Sequence, residues 1–249
     1  MMNETLINLD CPYNLLTKSL TFNGFDVAHG HYLEKYPQYY EFMWSSLELG
    51  RTVIMDQGDL SIDRYKYWID KLEPSYYILP YHENALKHIS TITSFGYTDH
   101  NCNKIGIVRG NNSVEVIDCY QYLDVFLDRE DMIGFDESKG MSNECRVDNV
   151  MRLDMTWIIN RFRKHHVIGG MLPSEYLFFK DMKYVHTITT DTPIMVSLAG
   201  EEIRPWGTKD VPDIKTHDIF DANVEYDMDL LEFNIDTFMN LMNKPKIFS

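Results

Sequence analysis

The feature that most constrains this chain is a change of texture that repeats from Thr52 onward. Short apolar, β-rich runs recur at Thr52–Met55, Tyr76–Leu79, Lys104–Val108, Met132–Phe135, His166–Ile168 and Val185–Thr189. Stretches with helical spacing lie between them. In the first, Ile62, Tyr65, Trp68, Ile69 and Leu72 recur at intervals of three and four, which lays one apolar stripe along a helix. Glu83–Thr93, Val114–Leu123, Asn149–Arg163 and Pro173–Asp181 read the same way. Parallel strands need a long crossover between them, so strand, helix, strand, helix is the order of a parallel sheet. The strand runs are continuously apolar rather than alternating, as expected where both faces are buried.

Punctuation agrees. Asp59 or Ser61 can cap the helix that follows Thr52–Met55, Pro74 stops that helix before Tyr76, and Pro173 stands where a first-turn proline belongs. Six βα units are visible. Residues 19–49 add one or two more, with Thr21–Val27 as strand and Gln38–Leu49 as helix, and Asp227–Met242 reads as a closing helix. The chain shows no internal repeat and no linker; Gly200–Asp218 is a long loop. The prediction is one α/β domain over 1–249, a (β/α)8 TIM-type barrel with its core at about 19–199 and a loop and closing helix over 200–249. A length of 249 residues and a hydrophobic fraction of 44% suit such a barrel.

The formal charge of −15 argues against a broad phosphate-binding surface, which needs clustered Lys and Arg. Binding to DNA or tRNA would have to be local, and a protein partner is compatible with the charge. Cys11, Cys102, Cys119 and Cys145 form no C-x-x-C pair and read as reduced thiols. With no apolar run of ~20 residues and no signal peptide, the expectation is a cytoplasmic protein without membrane contact.

In a barrel of this kind the working groups follow the strands. Those positions read Asp56-Gln57-Gly58, Pro80-Tyr81-His82-Glu83, Arg109-Gly110-Asn111-Asn112, Gly134-Phe135-Asp136-Glu137, Gly169-Gly170-Met171-Leu172-Pro173 and Thr190-Asp191-Thr192-Pro193. Carboxylates, an arginine and glycines gathered at one rim suit a polar planar ligand. Taken singly, each has a bland alternative: Asp56 as a helix cap, Gly169-Gly170 as a tight turn, Arg109 as a surface charge, Asp191 as an Asx-turn residue.

Several of these segments resemble the tRNA-guanine transglycosylases, and most the short phage-encoded relatives that act on deazaguanine in DNA. Thr52-Val-Ile-Met-Asp-Gln-Gly58 is similar to that family's strand and Asp-x-Gly turn, and Tyr76-Tyr-Ile-Leu-Pro80 to its Pro-ended strand. Ile105-Gly-Ile-Val-Arg-Gly110 is similar to its Gly-Ile-Val-Gln-Gly, Ile168-Gly-Gly-Met-Leu-Pro-Ser-Glu175 to a later Gly/Pro turn, and Ile188-Thr-Thr-Asp-Thr-Pro193 to the segment of its nucleophilic aspartate. The resemblance implies purine or deazapurine base exchange by a glycosyltransferase. Asp191 would be the nucleophile, and the carboxylate would hold a glycosyl intermediate. Asp56 would be the acid/base, and Gln57, Gly58, Tyr81, His82, Arg109, Gly110, Gly134, Phe135, Gly169 and Gly170 would line the base. No cofactor and no metal are implied, and the cysteines lack the spacing of the zinc site found in larger members. The chain departs from the family at Tyr81-His82, where an aspartate is expected, and at Arg109, where a glutamine is.

Two other classes fit the same residues. His29-x-His31, with His82 and Asp191, suits a metal-dependent hydrolase on the same barrel. A non-catalytic module that binds a nucleotide or a protein partner fits the acidic surface and the altered recognition positions.

Overall fold

The computed structural model describes residues 5–11, 13–82, 85–96, 102–136, 146–169, 173–204 and 227–243. The chain forms two compact units, one of residues 1–24 with 169–249 and one of residues 25–168.

In the first unit β1 (Leu6–Leu9) pairs in parallel with β8 (Val185–Thr190), from Leu6 opposite Thr187 to Leu9 opposite Thr190. Helices α1 (Leu16–Ser19), α8 (Pro173–Lys180), α9 (Thr192–Leu198) and α10 (Met228–Asn243) complete it. Tyr176 meets Phe238 edge-on at 4.5 Å between ring centroids. Asn234 crosslinks α10 to the segment after α9, donating to Ser197 Oγ and Glu201 O at 2.9 Å and accepting from Ile203 N at 2.7 Å. The strand expected over Thr21–Val27 is replaced by a turn and a later strand, because Asn23 is used otherwise. Its side chain accepts from Leu9 N at 2.7 Å and donates to Leu9 O at 3.1 Å, ending β1 as a neighbouring backbone would.

The second unit holds β2 (Asp26–His29), β3 (Val53–Asp56), β4 (Tyr76–Ile78), β5 (Asn103–Ile107), β6 (Met132–Asp136) and β7 (Lys164–Ile168), each paired in parallel with the next. Between them run α2 (Gly30–Lys35), α3 (Pro37–Glu48), α4 (Ile62–Leu72), α5 (Ala85–Gly96), α6 (Ser113–Phe126) and α7 (Arg146–Met155). Eight parallel strands alternating with helices make this the α/β class, a (β/α)8 TIM-type barrel, as the alternation predicts.

The helix starts follow from the sequence. Ser61 accepts from Arg64 N at the head of α4, and Asn112 Oδ1 accepts from Val114 N and Glu115 N at the head of α6. Glu115 in turn accepts from Asn111 N, a reciprocal cap. The helix expected over Asn149–Arg163 stops at Met155. Ile158 N and Ile159 N both return to Leu153 O, and Trp157 adopts φ 59, which no continuing helix allows.

Because side chains alternate along a strand, one set from β2 to β6 shares a face. Phe25, Val27, Ile54, Tyr76, Ile78, Ile105, Ile107 and Met132 form a single buried cluster, with Ile168 packed against it. The opposite set, including Ile133, Phe135 and His165, is also buried; Phe135 and His165 stack with Tyr120 of α6. Among the described residues, no helix is long and apolar enough to cross a membrane, and Cys11, Cys102 and Cys119 are free thiols. Burial raises the Cys119 thiol to about 11, so it is un-ionised at neutral pH.

Candidate active site at the strand ends

Extending the clustered face two residues toward each strand's carboxyl end gives His29 after Val27, Asp56 after Ile54, Arg109 after Ile107, and Asp136 four residues after Met132 with Gly134 between. The pleat that buries the apolar cluster therefore presents four polar side chains together at its end.

His29 and Asp56 are register partners in β2 and β3, and His29 Nδ1 stands 3.7 Å from Asp56 Oδ2. Burial pushes the Asp56 carboxyl up. The His29 imidazole, the Gln57 N–H that bonds the carboxylate and the charge of His31 outweigh burial, and the net direction is down. Asp56 is thus held ionised.

Arg109 is buried to 3% exposure and its guanidinium pairs with Asp136. The same guanidinium lies over the Tyr81 ring, 4.5 Å from its centroid. Tyr81 is half-exposed. Its phenol is raised to about 12, first by the charge of Asp56, then by burial and by Asp136, with Arg109 opposing. That ordering shows Asp56, Tyr81, Arg109 and Asp136 sharing one electrostatic neighbourhood. A phenol so raised stays protonated and can donate.

His88 of α5 was not singled out by sequence reasoning. It is wholly buried; its Nδ1 accepts from His82 N at 3.3 Å and its Nε2 bonds Ile107 O at 2.7 Å. One imidazole thus ties the segment carrying Tyr81 and His82 to the last residue of β5, two positions before Arg109. Accepting at Nδ1 requires the proton on Nε2, and burial lowers the pKa to about 4, keeping the ring neutral. The signal for it was present but weak: one histidine on the buried stripe of an apolar helix.

The remaining expected residues take varied roles. Gln57 donates to Leu60 O at 2.7 Å, folding its side chain into its own loop. Gly58 has φ 55, and a Cβ there would overlap His31 Nδ1, so the loop lies against the His31 ring. At Gly110 a Cβ would come 2.5 Å from Val116 N, so the glycine admits the start of α6. Gly134 leaves room for Ile107 beneath Asp136. Phe135 does not line the rim expected of it. It points to the other face of β6 and is fully buried, because it is one residue out of phase with Asp136. Gly169, at φ 99, donates to Thr189 O in the first unit, and Gly170 lies outside the described residues. Asp191, also in the first unit, precedes α9; its carbonyl accepts from Ile194 N and Met195 N, and its side chain does not cap the helix.

For the His-x-His pair, the ring centroids of His29 and His31 lie 5.9 Å apart, His29 faces Asp56, and His31 lies against Tyr32 in a tilted contact at 4.0 Å. No group of three or more His, Cys, Asp or Glu side chains placed to hold a metal occurs among the described residues.

No protein-family model and no curated protein matches the chain. Solved structures do. Phosphoribosylanthranilate isomerase from Thermotoga maritima matches at 15% identity with a TM-score of 0.46, over 95% of this chain and 100% of that one. The mutually generated monomers of the dimeric Thermotoga enzyme match at 13% and 0.45, over 95% and 100%. N-(5'-phosphoribosyl)anthranilate isomerase from Pyrococcus furiosus matches at 11% and 0.44, over 96% and 100%. Nothing about activity passes to this chain at such identities and scores. The resemblance to tRNA-guanine transglycosylases is corrected: no family model supports it, and these structural neighbours are phosphoribosylanthranilate isomerases, not transglycosylases. Its segments are short buried strands followed by Gly, Asp and Pro turns, which any parallel barrel places at its strand ends; they mark the fold and not the family.

Proposed function

We propose that this barrel is an enzyme that moves a proton on a small polar carbonyl compound, with the His29–Asp56 pair as its acid and base. One observation carries the reading: the strand register brings His29 and Asp56 face to face on the polar end of the buried cluster. A carboxylate beside one imidazole nitrogen fixes the ring's tautomer and steadies its protonated form. Protonated Tyr81 and the cationic Arg109 supply donors for a developing oxyanion. The glycines at 58 and 110 keep the surrounding loops close to the site. Base exchange forms no part of this reading, because the resemblance that implied it is withdrawn.

A second reading rests on the Arg109–Asp136 pair. The guanidinium is already neutralised and covered by Tyr81, which suits a module that holds a neutral planar ligand without transforming it.

One experiment separates the two. The protein is incubated in deuterium oxide with a panel of small ketones, aldehydes and keto acids, and deuterium uptake beside the carbonyl is followed by NMR. Uptake by the wild type that is lost in a folded Asp56→Asn variant supports the enzyme. Ligand line-broadening with no uptake supports the binding module, and neither signal rejects both.

A further inference from the structure

At the opposite end of the second unit's strands, the segment between α7 and β7 exposes an unusual amount of apolar surface. Phe162 is 100% exposed, Trp157 81% and Met155 74%. Met151, one helical turn before Met155, adds to the same face of α7, and Val125, near the end of α6, is 88% exposed. The neighbouring Asp124 brings α6 here: its carboxylate accepts from Asn160 Nδ2 at 3.0 Å and Arg163 Nε at 2.7 Å.

The segment is rigidly held. Arg163, buried to 7%, also donates to the carbonyls of Asp124, Leu127 and Asp128, while Asn160 N donates to Tyr120 Oη. On this scaffold Trp157 sits in the left-handed region at φ 59, which strains a side-chain-bearing residue. Its ring touches the Arg161 guanidinium, 5.3 Å away, and otherwise faces solvent. Neither core packing nor backbone geometry calls for a tryptophan here.

We propose that this face is where two copies of the chain meet about a two-fold axis. The five side chains expose on the order of 600 Å², at the upper end for the largest apolar patch on a monomer. Two such patches facing each other would bury on the order of 1,200 Å², where specific interfaces begin. Charge favours a like partner over a cationic or anionic one. The chain carries −15 overall, yet the rim of this patch mixes Arg161 and Lys164 with Asp128 and Glu130, all at least a third exposed. An isologous contact brings this same mixed rim from both copies together, so that Arg161 and Lys164 of one copy can pair with Asp128 and Glu130 of the other away from the axis. The patch lies at the amino ends of the strands, so pairing leaves the Asp56 end open. The inference does not depend on the proposed reaction.

Sedimentation velocity of the full chain from about 1 to 200 μM tests it, alongside Phe162→Glu and Trp157→Gly. The expected result is a reversible wild-type dimer whose dissociation constant rises roughly 30-fold or more in each variant, as for central aromatic anchors. At a concentration where both are monomeric, Trp157→Gly should melt no lower than wild type, because glycine relieves the left-handed strain; this separates a lost interface from a damaged fold. A wild type that stays monomeric at 200 μM overturns the proposal, as does a dimer indifferent to both substitutions. Binding of a monomeric protein to phosphatidylserine vesicles through the same residues would overturn it in favour of a lipid surface.

Discussion

His29 and Asp56 sit opposite each other in the β2–β3 register, Nδ1 to Oδ2 at 3.7 Å, at the point where the apolar face of the sheet gives way to polar side chains. Neither residue is adjacent to the other in the chain; backbone pairing sets their distance, and the same pairing extends toward Tyr81 and Arg109. Asp56 is also the foremost influence on Tyr81. Replacing it with Asn should therefore lower the Tyr81 phenol from about 12 toward its ordinary value near 10. Titration of ring-labelled tyrosine by NMR, with Tyr81→Phe to assign the resonance, reads the change. An unmoved Tyr81 would separate the two residues.

The neutral His88 imidazole makes stability pH-dependent with a definite sign. Its folded pKa is lowered to about 4, whereas the unfolded ring titrates near ~6.5. Above that unfolded value both states are neutral and His88 contributes no slope. As pH falls toward 4 the unfolded state takes up a proton that the folded state refuses, so stability declines, by up to ~3 kcal/mol. Below 4 the slope from this group ends. Urea midpoints at pH 7, 5.5 and 4.5 should fall in that order, and His88→Gln should flatten the fall.

Gly58→Ala should destabilise by about 1–3 kcal/mol, since φ 55 disfavours a side chain and the new Cβ overlaps His31. Pairing it with His31→Ala removes the overlap but not the backbone strain. Thermal denaturation of the two single variants and the double variant should therefore show partial recovery. Complete additivity would mean that the ring and the loop do not touch.

Arg163→Met should be the most damaging of these changes. It would strip the Asp124 carboxylate and the carbonyls of Asp124, Leu127 and Asp128 of a common donor inside the protein, at a cost of about 3–5 kcal/mol. Chemical denaturation measures it; a loss below about 1 kcal/mol would show that water satisfies these groups.

Arg109→Lys keeps the charge but not the planar fork over Tyr81. The expected outcome is a fold of near-native stability whose ligand binding, or deuterium uptake where it occurs, drops by roughly tenfold or more. Unchanged binding would place the ligand away from Tyr81.

Much of the architecture was readable before any coordinates. Continuous apolar runs separated by helix-length stripes mark a parallel α/β fold, and Ser61 and Pro173 mark helix starts through local chemistry alone. Asp56 and Arg109 were visible as strand-end residues for the same reason. Segments whose structure depends on distant partners were not: Leu6–Leu9 is too short to announce a strand, and Asn23 turns the chain only because Leu9 is there to bond it.

Local composition settled which stretches are strands and helices, since periodicity and capping act within a few residues. The inward or outward aim of each strand residue came from pairing between strands, because a period of two leaves both faces of a buried strand equally apolar. That ambiguity hid Phe135 in the helix-facing layer while Asp136 joined Arg109. It also left the meeting of His29 with Asp56, and the grip of His88 on two neighbouring segments, to be set by register and packing across the folded chain.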